Sequence, residues 1–140
     1  MRDIVSEFRP LGWKGKTGLA LEILREYVPT RRILRTVNVV DMVAAARGVP
    51  ATRAGSPPDL EHQTALRLGR AVHRTLKLLP TDSRCLIQAL VLTRLLARRS
   101  IPSVLVIGVR QASGFEAHAW VEHSGRPVLP AGSYHRLAEF

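Results

Sequence analysis

Arg84-Cys85-Leu86-Ile87-Gln88-Ala89-Leu90-Val91-Leu92-Thr93-Arg94-Leu95-Leu96, followed after Pro102 by Val104-Leu105-Val106-Ile107-Gly108-Val109, decides the architecture. The first run is apolar around most of a helical circumference, which predicts a central helix from about Arg84 to Arg99. Asp82 or Ser83 stands where its N-cap belongs. The period then changes to that of a strand. Val104 to Val109 reads as one buried strand and Phe115 to His123 as a second. Ser124-Gly125 is a two-residue hairpin signal, with Arg126 to Leu129 returning.

Upstream of this block the pattern is helical. Leu21, Leu24 and Val28 recur at helical spacing between Thr17 and Val28, and Pro29 is the expected stop. Thr30 is placed to cap a second helix carrying Ile33, Leu34, Val37, Val40 and Val43. Residues 51–58 read as a loop. Asp59 is placed to cap a third helix whose buried stripe is Ala65, Leu68, Val72, Leu76 and Leu79, with Pro80 ending it. Helices come first, then a buried helix and an antiparallel sheet, so the fold class is α+β. At 140 residues the chain is expected to form a single domain, residues 1–80 its helical part and 81–140 its Cys-helix and sheet.

Composition narrows the function. Hydrophobic residues are 46% and charged residues 23%, the balance of a globular chain rather than a disordered one. No apolar run approaches the roughly 18 residues a membrane span needs. The first residues carry acids where a secretory signal would be apolar, so a cytoplasmic location is expected. Lys and Arg number 21 against 11 Asp and Glu, for a net charge of +10. The excess is weighted toward residues 1–80, which carry 14 basic and 7 acidic residues. Such a face attracts anionic partners. Aromatics are only 5% and do not interleave with the basic residues, so nucleic acid is not expected as the partner. Gly15-Lys16-Thr17 lacks the earlier glycine and the preceding strand of a phosphate-binding loop.

The chemistry centres on two residues. Cys85 is the only cysteine and falls in the first turn of the buried helix. Free N–H groups and the positive end of the helix dipole there favour the thiolate, the nucleophilic form. His118 lies in Phe115-Glu116-Ala117-His118-Ala119-Trp120-Val121-Glu122, between two small alanines. If that strand packs on the helix start, its imidazole can take the thiol proton and return it to a leaving amine. His62, His73, His123 and His135 are expected to be solvated. One cysteine and no paired histidine spacing argue against a metal centre, and no cofactor is expected. Glu122 shares a face with His118 and is the candidate third member, but four residues along a strand is about 13 Å. A two-residue turn at Ser124-Gly125 sets His118 opposite Ala131, where no acid or asparagine stands, leaving a backbone carbonyl or Ser133 as possible orienters.

These segments resemble the transglutaminase-like leader peptidases of lasso-peptide biosynthesis, in the form of the stand-alone peptidase half of the split B protein. The resemblance covers roughly residues 65–129 and rests on C-L-x-x-A-L at Cys85–Leu90 and F-x-A-H-A-W-V-E at Phe115–Glu122. It implies a papain/transglutaminase-type core, Cys85 as nucleophile and His118 as general base and acid. It also implies removal of a leader peptide from a ribosomally made precursor. The partners implied are the precursor, a small leader-recognition protein and an ATP-dependent macrolactam cyclase. The family's usual acid falls where this chain has Pro130-Ala131-Gly132. Acyl transfer on the same core, or a non-catalytic basic peptide-binding module, are the alternatives.

Overall fold

The computed structural model describes residues 13–35, 38–48, 57–79 and 84–140. Its elements run Trp13–Ile33 (α1), Val39–Arg47 (α2), Pro58–Leu76 (α3), Arg84–Arg98 (α4), Val104–Gln111 (β1), Phe115–His123 (β2), Arg126–Pro127 (β3) and His135–Glu139 (β4). The strands form one sheet, ordered β3-β2-β1-β4, with every pairing antiparallel. This is the α+β arrangement the sequence pattern implies.

The breadth of apolar surface on α4 explains its central place. Every residue from Ile87 to Thr93 is buried, with Leu95 and Leu96. A helix apolar on nearly all sides must be covered on nearly all sides. Helices α1, α2 and α3 pack around it, and β2 covers it on the sheet side. The stripe Ala65, Leu68, Val72 and Leu76 on α3 is buried as its spacing requires, with Leu79 half-buried beyond the helix end.

Several boundaries differ from the sequence expectation. Pro29 does not stop α1, which continues to Ile33. A proline removes one donor from the ladder, and here burial of Ile23, Tyr27 and Thr30 holds the helix together past it. Thr30 is therefore inside α1 rather than a cap; its hydroxyl donates to the Glu26 carbonyl at 2.7 Å. Asn38 caps α2 instead. Its Oδ1 accepts from the Asp41 N–H at 3.0 Å and its Nδ2 donates to the Asp41 carboxylate at 2.9 Å. This later start turns Val40 outward, to 60% exposure. Asp59 is not a cap either, because α3 begins at Pro58, where proline's missing N–H costs nothing. The proposed caps Asp82 and Ser83, the end at Pro80, Val37 and most of the loop at 51–58 lie outside the described residues.

The hairpin register is the expected one: His123 pairs with Arg126 and Glu122 with Pro127. Ser124 and Gly125 both take positive φ, 52° and 74°, as a two-residue turn of matching twist demands. The returning strand is shorter than expected. It leaves the sheet after Pro127, with one further bond from Val128 N to Val121 O. Val128 and Leu129 are buried, and the segment runs against Leu66 and Gly69 of α3. An edge not foreseen in the sequence is filled by β4, which pairs with β1 across a bulge between Ile107 and Gly108.

Candidate active site

Cys85 is the second residue of α4, half-buried and free of any disulfide. The helix start therefore stands at the edge of the core. Gln88, one turn further along, is buried, and its Oε1 lies 3.2 Å from His73 Nδ1 on α3.

His118 is half-buried in the middle of β2, opposite Gly108 of β1. Its Nε2 lies 2.6 Å from the carbonyl oxygen of Pro130. A carbonyl only accepts, so Nε2 carries the proton and donates it. The lone pair of the neutral ring is thereby on Nδ1, the nitrogen available to receive a proton. Tyr134 stacks on the imidazole at 4.9 Å and Trp120 at 5.9 Å between centroids. The Arg110 guanidinium sits 4.7 Å from the Tyr134 ring and also bonds Glu116 at 2.7 Å.

Gly108 is what makes room for this stack. A Cβ there would come within 2.8 Å of the Trp120 ring and 2.9 Å of Tyr134 Cβ. Glycine inside a strand commonly marks such a close approach. Gly69 on α3 serves the same end for the segment bearing Pro130, since a Cβ there would lie 1.9 Å from the Val128 oxygen.

Glu122 is spoken for. Its Oε1 accepts from Trp120 Nε1 at 2.9 Å and from Arg136 at 2.5 Å, and the residue is 6% exposed. Burial pushes its carboxyl up, but the bonds from Arg136 and Trp120 outweigh that and hold it below the ordinary carboxylate value. The strand spacing keeps it from His118, whose ring bond goes to Pro130. Glu122 thus fixes the Trp120 indole that stacks on His118 and ties β4 to β2 through Arg136.

The other histidines differ from the expected solvated set. His123 is 3% exposed, donates from Nδ1 to the Pro102 carbonyl at 2.8 Å, and stacks on His62 of α3 at 5.6 Å. His62 and His73 are half-buried, and only His135 is exposed. Desolvation, then the nearby Arg126 and His123, hold His62 below its ordinary pKa. The sheet's approach to α3 was the missing information. Among the described residues no group of three or more His, Cys, Asp or Glu is placed to hold a metal ion. No helix among them is long and apolar enough to cross a membrane.

A cysteine at the start of the central helix, a histidine on the strand that packs on that helix, and a carbonyl that fixes the histidine's tautomer are the kinds of group that nucleophilic acyl chemistry uses. Comparison with curated proteins gave no match, and comparison with solved structures gave none. A scan against protein families matches residues 24–140 to the transglutaminase-like superfamily, a span containing all of α2, α3, α4 and the sheet. The chain belongs to the transglutaminase-like superfamily, whose activities are of the cysteine-protease or acyl-transferase type.

Proposed function

We propose that this chain is a cysteine peptidase that removes the leader from a ribosomally synthesised lasso-peptide precursor. The observation that carries the catalytic part is the His118 tautomer: Nε2–H is committed to Pro130, so Nδ1 is the base, on the strand that covers the cysteine helix. The leader-peptidase specificity rests on the resemblance of the Cys85–Leu90 and Phe115–Glu122 segments.

In the proposed reaction the thiol proton passes to His118 Nδ1 and the Cys85 sulfur attacks the carbonyl at the leader–core junction. The oxyanion is stabilised by backbone N–H groups at the start of α4. The tetrahedral intermediate collapses, the C–N bond breaks, and His118 returns the proton to the departing core amine. Water, deprotonated by the same imidazole, then attacks the thioester and releases the leader carboxylate with free thiol. Pro130 keeps the imidazole in the working tautomer throughout.

The partner surface we assign to α1. Leu21, Leu24 and Val28 fall on one face and are exposed, Leu21 by 57% and Val28 by 50%. Arg25, Arg31, Arg32 and Arg35 flank them, and Tyr27, Val28, Arg31, Arg32 and Arg35 line a shallow cavity of about 370 Å3. Exposed apolar residues ringed by cations suit an acidic, partly apolar peptide such as a leader or the protein that presents it.

Intact-mass analysis tests the reading. This chain, a lasso precursor and a leader-recognition protein are incubated together. The expected products are leader and core whose masses sum to the precursor plus one water, absent with Cys85→Ala. A product in which the leader acyl group is joined to another amine, with no water gained, would move the assignment to acyl transfer. Full turnover by Cys85→Ala would refute the catalytic reading.

A further inference from the structure

We infer that the cavity between α3 and residues 127–131 is a subsite for an apolar side chain of the peptide substrate. The inference rests on the peptidase reading and adds to it the position and chemistry of a specificity pocket. The cavity measures about 370 Å3, within the range of small-ligand sites and ample for a leucine or an aromatic ring. Leu66, Arg70 and His73 of α3 form one wall; Val128, Pro130 and Ala131 form the other.

Two hydrogen bonds link the walls of this cavity to the imidazole and to the helix that carries Cys85. The Pro130 carbonyl on its wall is the one that receives His118 Nε2–H, at 2.6 Å. His73, on the opposite wall, meets Gln88 at 3.2 Å. Gln88 is three residues after Cys85, hence its neighbour on the same helix face. The cavity is thus one hydrogen bond removed from the imidazole, through Pro130, and one from the thiol's helix, through His73. Its lining is mostly carbon, and Arg70 at the mouth is exposed, where a cation can meet a peptide carbonyl or an acidic neighbour. Gly69 keeps the two walls at this separation. The larger cleft between α1 and α4, about 660 Å3, lacks these links: Glu26, Arg94 and Arg98 line it, with Glu26 paired to both arginines, and Glu22 on its wall pairs with Arg99.

Alkylation of Cys85 in the full chain tests the subsite without the natural substrate. Second-order rates are measured with iodoacetamide and with N-benzyliodoacetamide, whose ring plays the apolar side chain. Both reagents carry the same leaving iodide and form the same C–S bond. The expected result is a preference for the benzyl reagent of about ten-fold over the ratio for free cysteine, with saturation at high reagent concentration. Ala131→Leu, which fills the cavity, and Leu66→Asp, which charges its wall, are each expected to bring the ratio within about two-fold of that for free cysteine. Val40→Ser, on the exposed side of α2, is expected to keep the wild-type ratio. Fast, His118-dependent alkylation with no benzyl preference would overturn the subsite while leaving the Cys–His pair standing. A preference that survives both cavity variants would place the selectivity elsewhere and overturn it too. Slow alkylation by both reagents, unchanged in His118→Ala, would overturn the peptidase reading and the subsite with it.

Discussion

Gly69→Ala puts the orienting carbonyl to the test from a distance. The new methyl would begin 1.9 Å from the Val128 oxygen and 3.0 Å from its carbonyl carbon. Ordinary C···O contact is about 3.3 Å, so one side must retreat by about 1.4 Å. Helix α3 is anchored by the buried Ala65, Leu68, Val72 and Leu76. The segment after β3 has left the sheet, held there by the Val128 N to Val121 O bond and the Pro130–His118 bond. The segment is the softer partner and moves. From 2.6 Å, a retreat of that size carries Pro130 O beyond hydrogen-bond reach of Nε2, whose limit is about 3.2 Å. The stability cost is appreciable, because the clash is with backbone rather than a flexible side chain: overpacking costs about 1–3 kcal/mol, and alanine's gain over glycine in a helix offsets only about 1 kcal/mol of it. The reactivity change is large, since a misplacement of about 1 Å can cost on the order of 100-fold. The assay pairs a thermal melt with the rate of Cys85 alkylation by iodoacetamide near neutral pH, and with nitrogen NMR of the His118 tautomer. The expected outcome is a lowered but still cooperative melt, alkylation slowed by about ten-fold or more, and a mixed tautomer. Gly18→Ala is the control: a Cβ there meets nothing within 4 Å, and a gain of up to about 1 kcal/mol is expected with no change in rate. If Gly69→Ala melts like wild type, alkylates at the wild-type rate and keeps the Nε2–H tautomer, the coupling from α3 through Val128 to His118 is wrong.

Three further outcomes follow from the same contacts. Glu122 is held below its ordinary value of 4.5, so its contribution is present above that pH and is lost as pH falls through the depressed folded value. The melting-temperature gap between wild type and Glu122→Gln should be widest near neutrality and close in acid; a gap independent of pH down to 3 would refute this. Glu26, 6% exposed, bridges Arg94 at 2.5 Å and Arg98 at 2.7 Å and so binds α1 to α4. Glu26→Ala removes the buried carboxylate that Arg94 and Arg98 share and should cost about 3–5 kcal/mol in chemical denaturation, with a cost under 1 kcal/mol ruling the bridge unimportant. On α1, Leu24→Asp with Val28→Asp should weaken binding of the leader-recognition protein by about ten-fold or more, about 1.4 kcal/mol, in calorimetry while leaving Cys85 alkylation alone; undiminished binding would move the partner surface off α1.

The parts legible in the sequence are those set by short-range pattern. The all-round apolar run at Ile87–Leu96, the two strands and the Ser124-Gly125 turn carry their structure in their own spacing. Registers then follow from the turn by counting, which is why His123 meets Arg126. The continuation of α1 past Pro29 was decided by burial, which no local pattern records, whereas the start of α2 rests on the local Asn38–Asp41 cap. The unforeseen strand His135–Glu139 has five residues of mostly exposed character and finds its place only because β1 offers an edge. Tyr134, Gly108 and Gly69 belong to the site through contacts between distant segments. Gly108 alone left a trace, as a glycine in the middle of a β-branched run.

The absent acid shows most directly what a residue-by-residue comparison misses. Where the resemblance implies a carboxylate, this chain carries Pro130-Ala131-Gly132, and a search by side-chain type finds nothing there to orient His118. The main chain supplies the group instead, because β3 ends after Pro127 and the segment turns toward α3. A carbonyl and a carboxylate do different amounts of the same work. Both fix the Nε2–H tautomer, and loss of that tautomer is what makes an acid-to-amide change so damaging in a triad of this logic. A carboxylate also stabilises the imidazolium by its full charge, which a carbonyl dipole does not. The site should therefore keep the direction of proton transfer and give up part of its driving force. It stands to recover some of that force only from groups that hold the ring without charge, and the stacked Tyr134 and Trp120, braced by Arg110 and Glu122, are arranged to do so.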